Sequence, residues 1–187
     1  MGLREDKKKK TRKAISDMAT RLFIEKGYQN VTTAEVAERA QVSVPTLFNY
    51  FSTKESLVFD EDAEVEQELI DIVSRRPKGT SILKALLEGG LAQIEAIPVE
   101  QKKDYKVFMN LIETTPELNL YSRQMWMRYE TSLAAVIRKE SKRKVGALEA
   151  GVVARFVLDS FHRSAGAANP KASLKAMFEI ISGGWRE

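Results

Sequence analysis

The chain has 187 residues, 43% of them apolar and 30% charged, with no cysteine and a net charge of +4. This balance excludes a disordered, highly charged chain and a disulfide-stapled scaffold, and no apolar run approaches the roughly 20 residues needed to span a bilayer. The charge is uneven: residues 1–54 hold 11 Lys/Arg against 6 Asp/Glu, whereas residues 55–187 hold 19 against 20.

A polyanion is therefore the expected partner of the N-terminal end, and no membrane partner is expected. The basic N-terminus lacks the apolar stretch of a secretory signal, and the absence of Cys favours a reducing, cytoplasmic setting. The length suits one ordinary domain, or a small domain fused to a larger one.

Lys7 to Lys10, Arg12 and Lys13 form a basic run with no apolar period. It reads either as a frayed solubilising tail or as an arm lying along nucleic-acid phosphates. From Lys10 to Lys26, Ala14, Ile15, Met18, Ala19, Leu22 and Phe23 mark one helical face, and Gly27 supplies the stop. Thr32 and Glu35 then have the capping-box spacing behind Val31, predicting a second helix to about Ala40 with Val36, Ala37 and Ala40 inward. Gln41-Val42 make a turn. Ser43 caps a third helix with Pro45 in its first turn. Leu47 and Phe51, four apart, anchor that helix, which leaves Val44, Thr46, Asn49 and Tyr50 outward. Ser52 and Glu55 repeat the capping-box spacing and predict a fourth helix from about Thr53. A short capped helix, anchored on one side and polar on the other, is what a helix-turn-helix needs for reading a major groove.

Between Asp60 and Asp71 there is no Lys or Arg. Val58, Phe59, Val65, Leu69, Ile70, Ile72 and Val73 keep helical spacing there, and the carboxylates form a solvated face that DNA would avoid. Arg76-Pro77-Lys78-Gly79 is a break. Thr80-Ser81 start a helix with Ile82, Leu83, Leu86, Leu87, Leu91 and Ile94 inside. Its Gly89-Gly90 marks a kink, close packing or room beside a ligand, and Pro98 ends it. Further helices are predicted over 101–113, 116–142, 147–168 and 172–182, the second of these opened by Thr115-Pro116. The helix over 147–168 is apolar on two faces, Val153, Val157, Phe161 and Ala165 on one and Val152 and Phe156 on the other, which suits contact with both a core and a partner. The class is all-α, with about nine helices.

The run from Val31 to Val58 resembles the N-terminal DNA-binding domain of the TetR/AcrR family of transcriptional regulators. The likeness is carried by Val36-Ala37, Ala40-Gln41-Val42-Ser43, Thr46-Leu47-Phe48-Asn49-Tyr50-Phe51 and Thr53-Lys54-Glu55-Ser56-Leu57, and extends over roughly residues 8–60. Two positions depart from the family pattern. Gln41 stands where Gly is usual, placing an ordinary residue where positive φ is favoured. Phe48 replaces a frequent Tyr and removes a hydroxyl that would reach a phosphate.

The resemblance implies a helix-turn-helix DNA-binding domain over residues 1–52 and a larger ligand-binding and dimerisation domain over 53–187. It implies that Thr33 and Lys54 hold phosphates, and that Ser43, Val44, Pro45, Thr46, Asn49 and Tyr50 face the groove and its walls. Asn49 is the best-equipped base reader, through its amide. The resemblance also implies a homodimer through the last two long helices, a double-stranded pseudo-palindromic operator, and a small-molecule effector that releases a repressor. Candidate liners of the effector pocket are Phe108, Met109, Ile112, Met125, Trp126, Tyr129, Phe156 and His162, although a lone His or a Met and aromatic stripe also suits a plain core. No enzyme, cofactor or metal is expected: Ser or Cys catalysis would depend on His162 alone, and Gly89-Gly90 lacks the Lys-Ser/Thr of a phosphate loop. The alternative is a helical ligand-binding or protein-interaction module whose DNA-binding head is weakened by Gln41 and Phe48.

Overall fold

The computed structural model describes residues 2–98 and 101–184, with the backbone alone described at Leu3 and Lys102. Among these residues the elements are α1 (Leu3–Lys26), a 3-10 turn (Tyr28–Asn30), α2 (Thr33–Arg39), α3 (Val44–Tyr50), a second 3-10 turn (Glu55–Val58), α4 (Asp62–Ser74), α5 (Ile82–Ala96), α6 (Lys102–Thr114), α7 (Pro116–Glu140), α8 (Ala147–Ala165) and α9 (Pro170–Gly183). The all-α class and the nine helices follow the sequence pattern. None of the described helices is long and apolar enough to cross a membrane.

Side-chain caps start four of these helices. Thr32 Oγ1 accepts from the Glu35 N–H at 3.1 Å, Ser43 Oγ from Thr46 N–H at 3.1 Å, Ser81 Oγ from Lys84 N–H at 3.2 Å and Asn169 Oδ1 from Ala172 N–H at 3.2 Å. Each satisfies an amide that the helix itself leaves unpaired.

Two expectations are corrected. Helix α1 begins at Leu3 rather than near Lys10, so the lysine run at 7–10 is helical and exposed rather than a frayed tail. Lys, Arg and Glu are good helix formers, and Glu5 and Asp6 in the first turn complement the positive end of the helix. The Ser52/Glu55 pair does not open a helix at Thr53. Instead Thr53 and Ser56 each accept from the other's backbone N–H at 3.2 Å, a 3-10 turn follows, and α4 waits until Asp62. Ser56, Leu57, Val58 and Phe59 are all buried, and four consecutive buried residues cannot share one stripe of an amphipathic α-helix.

The helices pack as two compact units: residues 1–63 with 103–123, and residues 64–102 with 124–187. In the first unit, Ile15, Ala19, Phe23, Val36, Leu47, Phe51 and Leu57 are at most 1% exposed and form the core behind α3. Burying a side chain such as Leu47 stabilises by about 1.5–3 kcal/mol. Helix α6 and the first turns of α7 belong to this unit.

In the second unit, Val73, Leu86, Leu133, Ala154, Val157 and Leu174 are fully or almost fully buried. The Gly89-Gly90 pair serves close packing. A Cβ at Gly89 would lie 2.6 Å from Ile72 Cδ1, and one at Gly90 would lie 2.5 Å from Phe161 Cε1 and 3.0 Å from Leu174 Cδ2. Arg76 donates to the Val73 and Glu140 carbonyl oxygens at 2.5 and 2.7 Å, satisfying the C-terminal ends of α4 and α7.

Candidate nucleic-acid interface

The turn between α2 and α3 sets the direction of α3. Gln41 adopts φ +56°, the left-handed conformation that its place in the motif demands. The turn closes through Gln41 N–H to Glu38 O at 3.1 Å and Val42 N–H to Ala37 O at 2.9 Å, so glutamine leaves its hydrogen bonds intact.

Helix α3 is divided into an anchored and an open side. Leu47 is 0% and Phe51 1% exposed, whereas Val44 is 37% and Phe48 46% exposed, with Ser43, Pro45 and Asn49 also open and Thr46 and Tyr50 half-buried. The Ser43 and Thr46 hydroxyls lie 2.7 Å apart, in addition to the cap from Ser43, so both are partly committed to holding the helix start. Asn49 is thus the exposed amide on a face flanked by apolar Val44 and Phe48. An amide can bond the edge of an adenine in two places, and apolar groups suit thymine methyls. Phe48 was not among the expected site residues; its position four after Val44 was the available signal.

The far end of α3 is held by a residue hidden in the basic run. Arg12 on α1 donates through Nη1 to Tyr50 O at 2.5 Å and through Nε to Asp60 O at 2.9 Å, with its guanidinium 4.4 Å from the Phe51 ring centre. A cation on the last carbonyls of a helix is favoured by the backbone dipoles. Counting back from Ile15 by three puts Arg12 on the buried face, so the helical period was its signal.

Lys54 occupies a second anchored position. Its Nζ donates to Tyr28 O at 2.6 Å and lies 4.0 Å from the Tyr28 ring centre and 5.4 Å from that of Phe23. The Tyr28 hydroxyl donates to Glu55 Oε1 at 2.6 Å. Beside them Gln29 Nε2 donates to Glu117 Oε1 at 2.6 Å, while Glu117 Oε2 is buried with no hydrogen-bond partner among the described residues. Burial holds the Lys54 pKa below the usual lysine range, opposed by Glu55 and Glu117. Thr33, in the first turn of α2, is half-buried. Lys7 to Lys10 and Arg39 add exposed cations to this unit, while Lys26 is paired with Glu35 at 2.5 Å.

The eight candidate pocket residues do not form one set. Phe108, Met109 and Ile112 lie on α6 in the first unit, and Ile112 is buried there. In the second unit Trp126 meets Tyr129 edge-on at 5.5 Å and His162 at 6.1 Å between ring centres, with Met125 buried one residue before Trp126. His162 is exposed on α8 rather than a core residue. Phe156 is 58% exposed and takes no part in that cluster: with Leu148 (83%) and Val152 (45%) it forms an outward stripe at four-residue steps along α8. Among the described residues no group of three or more His, Asp and Glu is placed to hold a metal ion.

Residues 15–60 match the family described as bacterial regulatory proteins, tetR family. The transcriptional regulator TcmR of Streptomyces glaucescens is 26% identical over 122 residues, which cover 63% of this chain and 54% of that protein. The chain thus spans about half the length of that curated relative. A TetR-family regulator from Syntrophomonas wolfei superposes with a TM-score of 0.62 at 17% identity, covering 96% of this chain and 98% of that one. FadR of Thermus thermophilus, a transcriptional repressor solved with lauroyl-CoA, superposes with a TM-score of 0.56 at 22% identity over 94% and 96%. These superpositions concern the fold.

Proposed function

We propose that this chain is a member of the tetR family of bacterial regulatory proteins, whose model its residues 15–60 match, and that it is a homodimeric, DNA-binding transcriptional repressor released from its operator by a small molecule. The observation that carries this reading is α3: Leu47 and Phe51 fix it from behind, while Val44, Pro45, Phe48 and Asn49 stand open on its other side. Residues 1–52 are the DNA-binding domain and residues 53–187 the ligand-binding and dimerisation domain in this reading. Asn49 reads a base, and Ser43, Val44, Pro45, Thr46 and Tyr50 line the groove contact. Thr33 and Lys54 hold phosphates. A lysine that burial disfavours and two carboxylates only partly neutralise gains its missing counter-charge when a phosphate arrives.

The outward stripe Leu148, Val152 and Phe156 on α8, with 53% exposed Ile180 on α9, supports pairing of two copies through these helices. Two heads then meet half-sites one helical turn apart, roughly 34–36 Å. The effector's place is the Trp126, Tyr129 and His162 cluster with Met125. Release requires that the effector favour a state other than the DNA-bound one by about 1–3 kcal/mol.

Titration of the full chain with a duplex from its own promoter, at several salt concentrations, tests the reading. Affinity should fall linearly on a log–log plot with salt, and a scrambled duplex should bind about a thousandfold more weakly or worse. Binding indifferent to sequence would overturn it and favour an interaction module.

A further inference from the structure

A groove of about 690 Å³ opens in the first unit between α1 and α6. Its apolar lining comes from Ile24 on α1, buried Val58, and Val107 and Phe108 on α6; Ile24 and Val107 are 44% and 40% exposed. Single apolar residues on a surface are ordinary, but two such residues with an aromatic ring facing one depression make a surface that an apolar ligand would cover.

The groove is acidic although it opens in the unit that holds the basic first 54 residues. Residues 1–54 carry a net +5 from 11 Lys/Arg and 6 Asp/Glu, yet the groove is lined by Asp17, Glu25, Asp60 and Asp104, with Arg21 as the only cation among its lining residues. Asp17 is satisfied by Lys13 at 2.8 Å. Glu25, Asp60 and Asp104 make no ion pair among the described residues. Burial, together with neighbouring Glu61, raises the Asp60 pKa, against a hydrogen bond from Ser16 and the charge of Lys13. A half-buried carboxylate beside apolar walls favours a cation that brings its own apolar surface, because a small hydrated ion would cover neither Ile24 nor Phe108.

We propose that the α1–α6 groove is a binding site for a lipophilic organic cation, its apolar part lying against Ile24, Val107 and Phe108 and its charge against Asp60 and Asp104. The site lies within the first unit and is separate from the Trp126, Tyr129 and His162 cluster. It does not depend on the chain binding DNA.

Calorimetric titration of the full chain with tetraphenylphosphonium, and with tetraphenylborate as an anion of the same shape, tests the site. The phosphonium should bind once per chain, and the borate at least about tenfold more weakly. An Asp60→Asn, Asp104→Asn double variant should lose about tenfold in phosphonium affinity, and Phe108→Ala should weaken it too, with helical content unchanged by circular dichroism. Trp126→Ala should leave the binding unchanged. Absence of phosphonium binding, equal binding of the borate, loss only in Trp126→Ala, or one ion per two chains would each overturn the proposal. Failure of the wild-type chain to bind operator duplex would overturn the DNA reading and leave this one standing.

Discussion

The Lys54 ammonium donates a hydrogen bond to the Tyr28 carbonyl oxygen at 2.6 Å and lies 4.0 Å from the centre of the Tyr28 ring. The side chain is thereby held in place before any DNA arrives, and its remaining N–H donors are left for other acceptors. A preordered cation loses little side-chain entropy on meeting a phosphate. Lys54→Ala should therefore weaken binding to every duplex alike and reduce the slope of log affinity against log salt by about one phosphate's worth, roughly 0.9. Loss of discrimination between sequences, with an unchanged slope, would show that Lys54 does not hold a phosphate.

The same tyrosine sets a pH dependence. Burial works to raise the Glu55 pKa, but the Tyr28 hydroxyl, a backbone hydrogen bond, Thr53 and the charge of Lys54 together leave it below the usual 4.5. A folded pKa below the unfolded one contributes stability that is complete above about 4.5 and is lost as pH falls through the folded value. Tyr28 itself is pushed well above the usual tyrosine range, by burial first and then by Glu55, so it stays neutral throughout that window. Tyr28→Phe should cost about 1–2 kcal/mol at pH 7. The gap between the two proteins in urea denaturation should narrow as pH is lowered from 7 to 3. A gap independent of pH would contradict the Tyr28–Glu55 assignment.

At Gln41 the backbone sits at φ +56°, where a side chain is strained. Gln41→Gly should stabilise the chain by about 0.5–1 kcal/mol, because relief of strain exceeds the added entropy of unfolded glycine. A β-branched Gln41→Val should destabilise it by a larger amount. Thermal melts of the three proteins give the order Gly, Gln, Val; equal melting temperatures would mean that the turn relaxes around its residue.

These residues also mark how far the sequence could be read. The buried side of α3 follows from Leu47 and Phe51 four apart, and the caps at Thr32, Ser43, Ser81 and Asn169 follow from residue type ahead of an apolar period. The strain at Gln41 was legible from its place in the turn. The inward turn of Lys54 was not, because it depends on where the Tyr28 ring and carbonyl arrive after Gly27. Nor was the grouping of α6 with the head, since periodicity shows that a face is covered and not by what. The start of α4 was misplaced because capping-box spacing at Ser52 and Glu55 outweighed the run of four buried residues beginning at Ser56. The separation of Phe156 from the Trp126 and His162 cluster was hidden for a related reason: an apolar position on a two-faced helix does not say which face meets the core.

Arg12 joins the Tyr50 and Asp60 carbonyls and covers the Phe51 ring from one guanidinium. Arg12→Ala should destabilise the first unit by about 1.5–3 kcal/mol. Arg12→Lys should recover little, because a single ammonium cannot serve both carbonyls with the planar geometry of the fork. Full recovery by lysine, read in thermal melts, would show that charge alone matters there.

The most direct measurement is the affinity of the wild type and of Asn49→Ala for a set of duplexes that differ from the operator by one base pair each. In the wild type, changing the base pair read by Asn49 should cost about 1–3 kcal/mol, and in Asn49→Ala that penalty alone should disappear while the others persist. A wild-type chain with no penalty at any position, or an Asn49→Ala chain weakened equally on every duplex, would contradict sequence reading by the open face of α3.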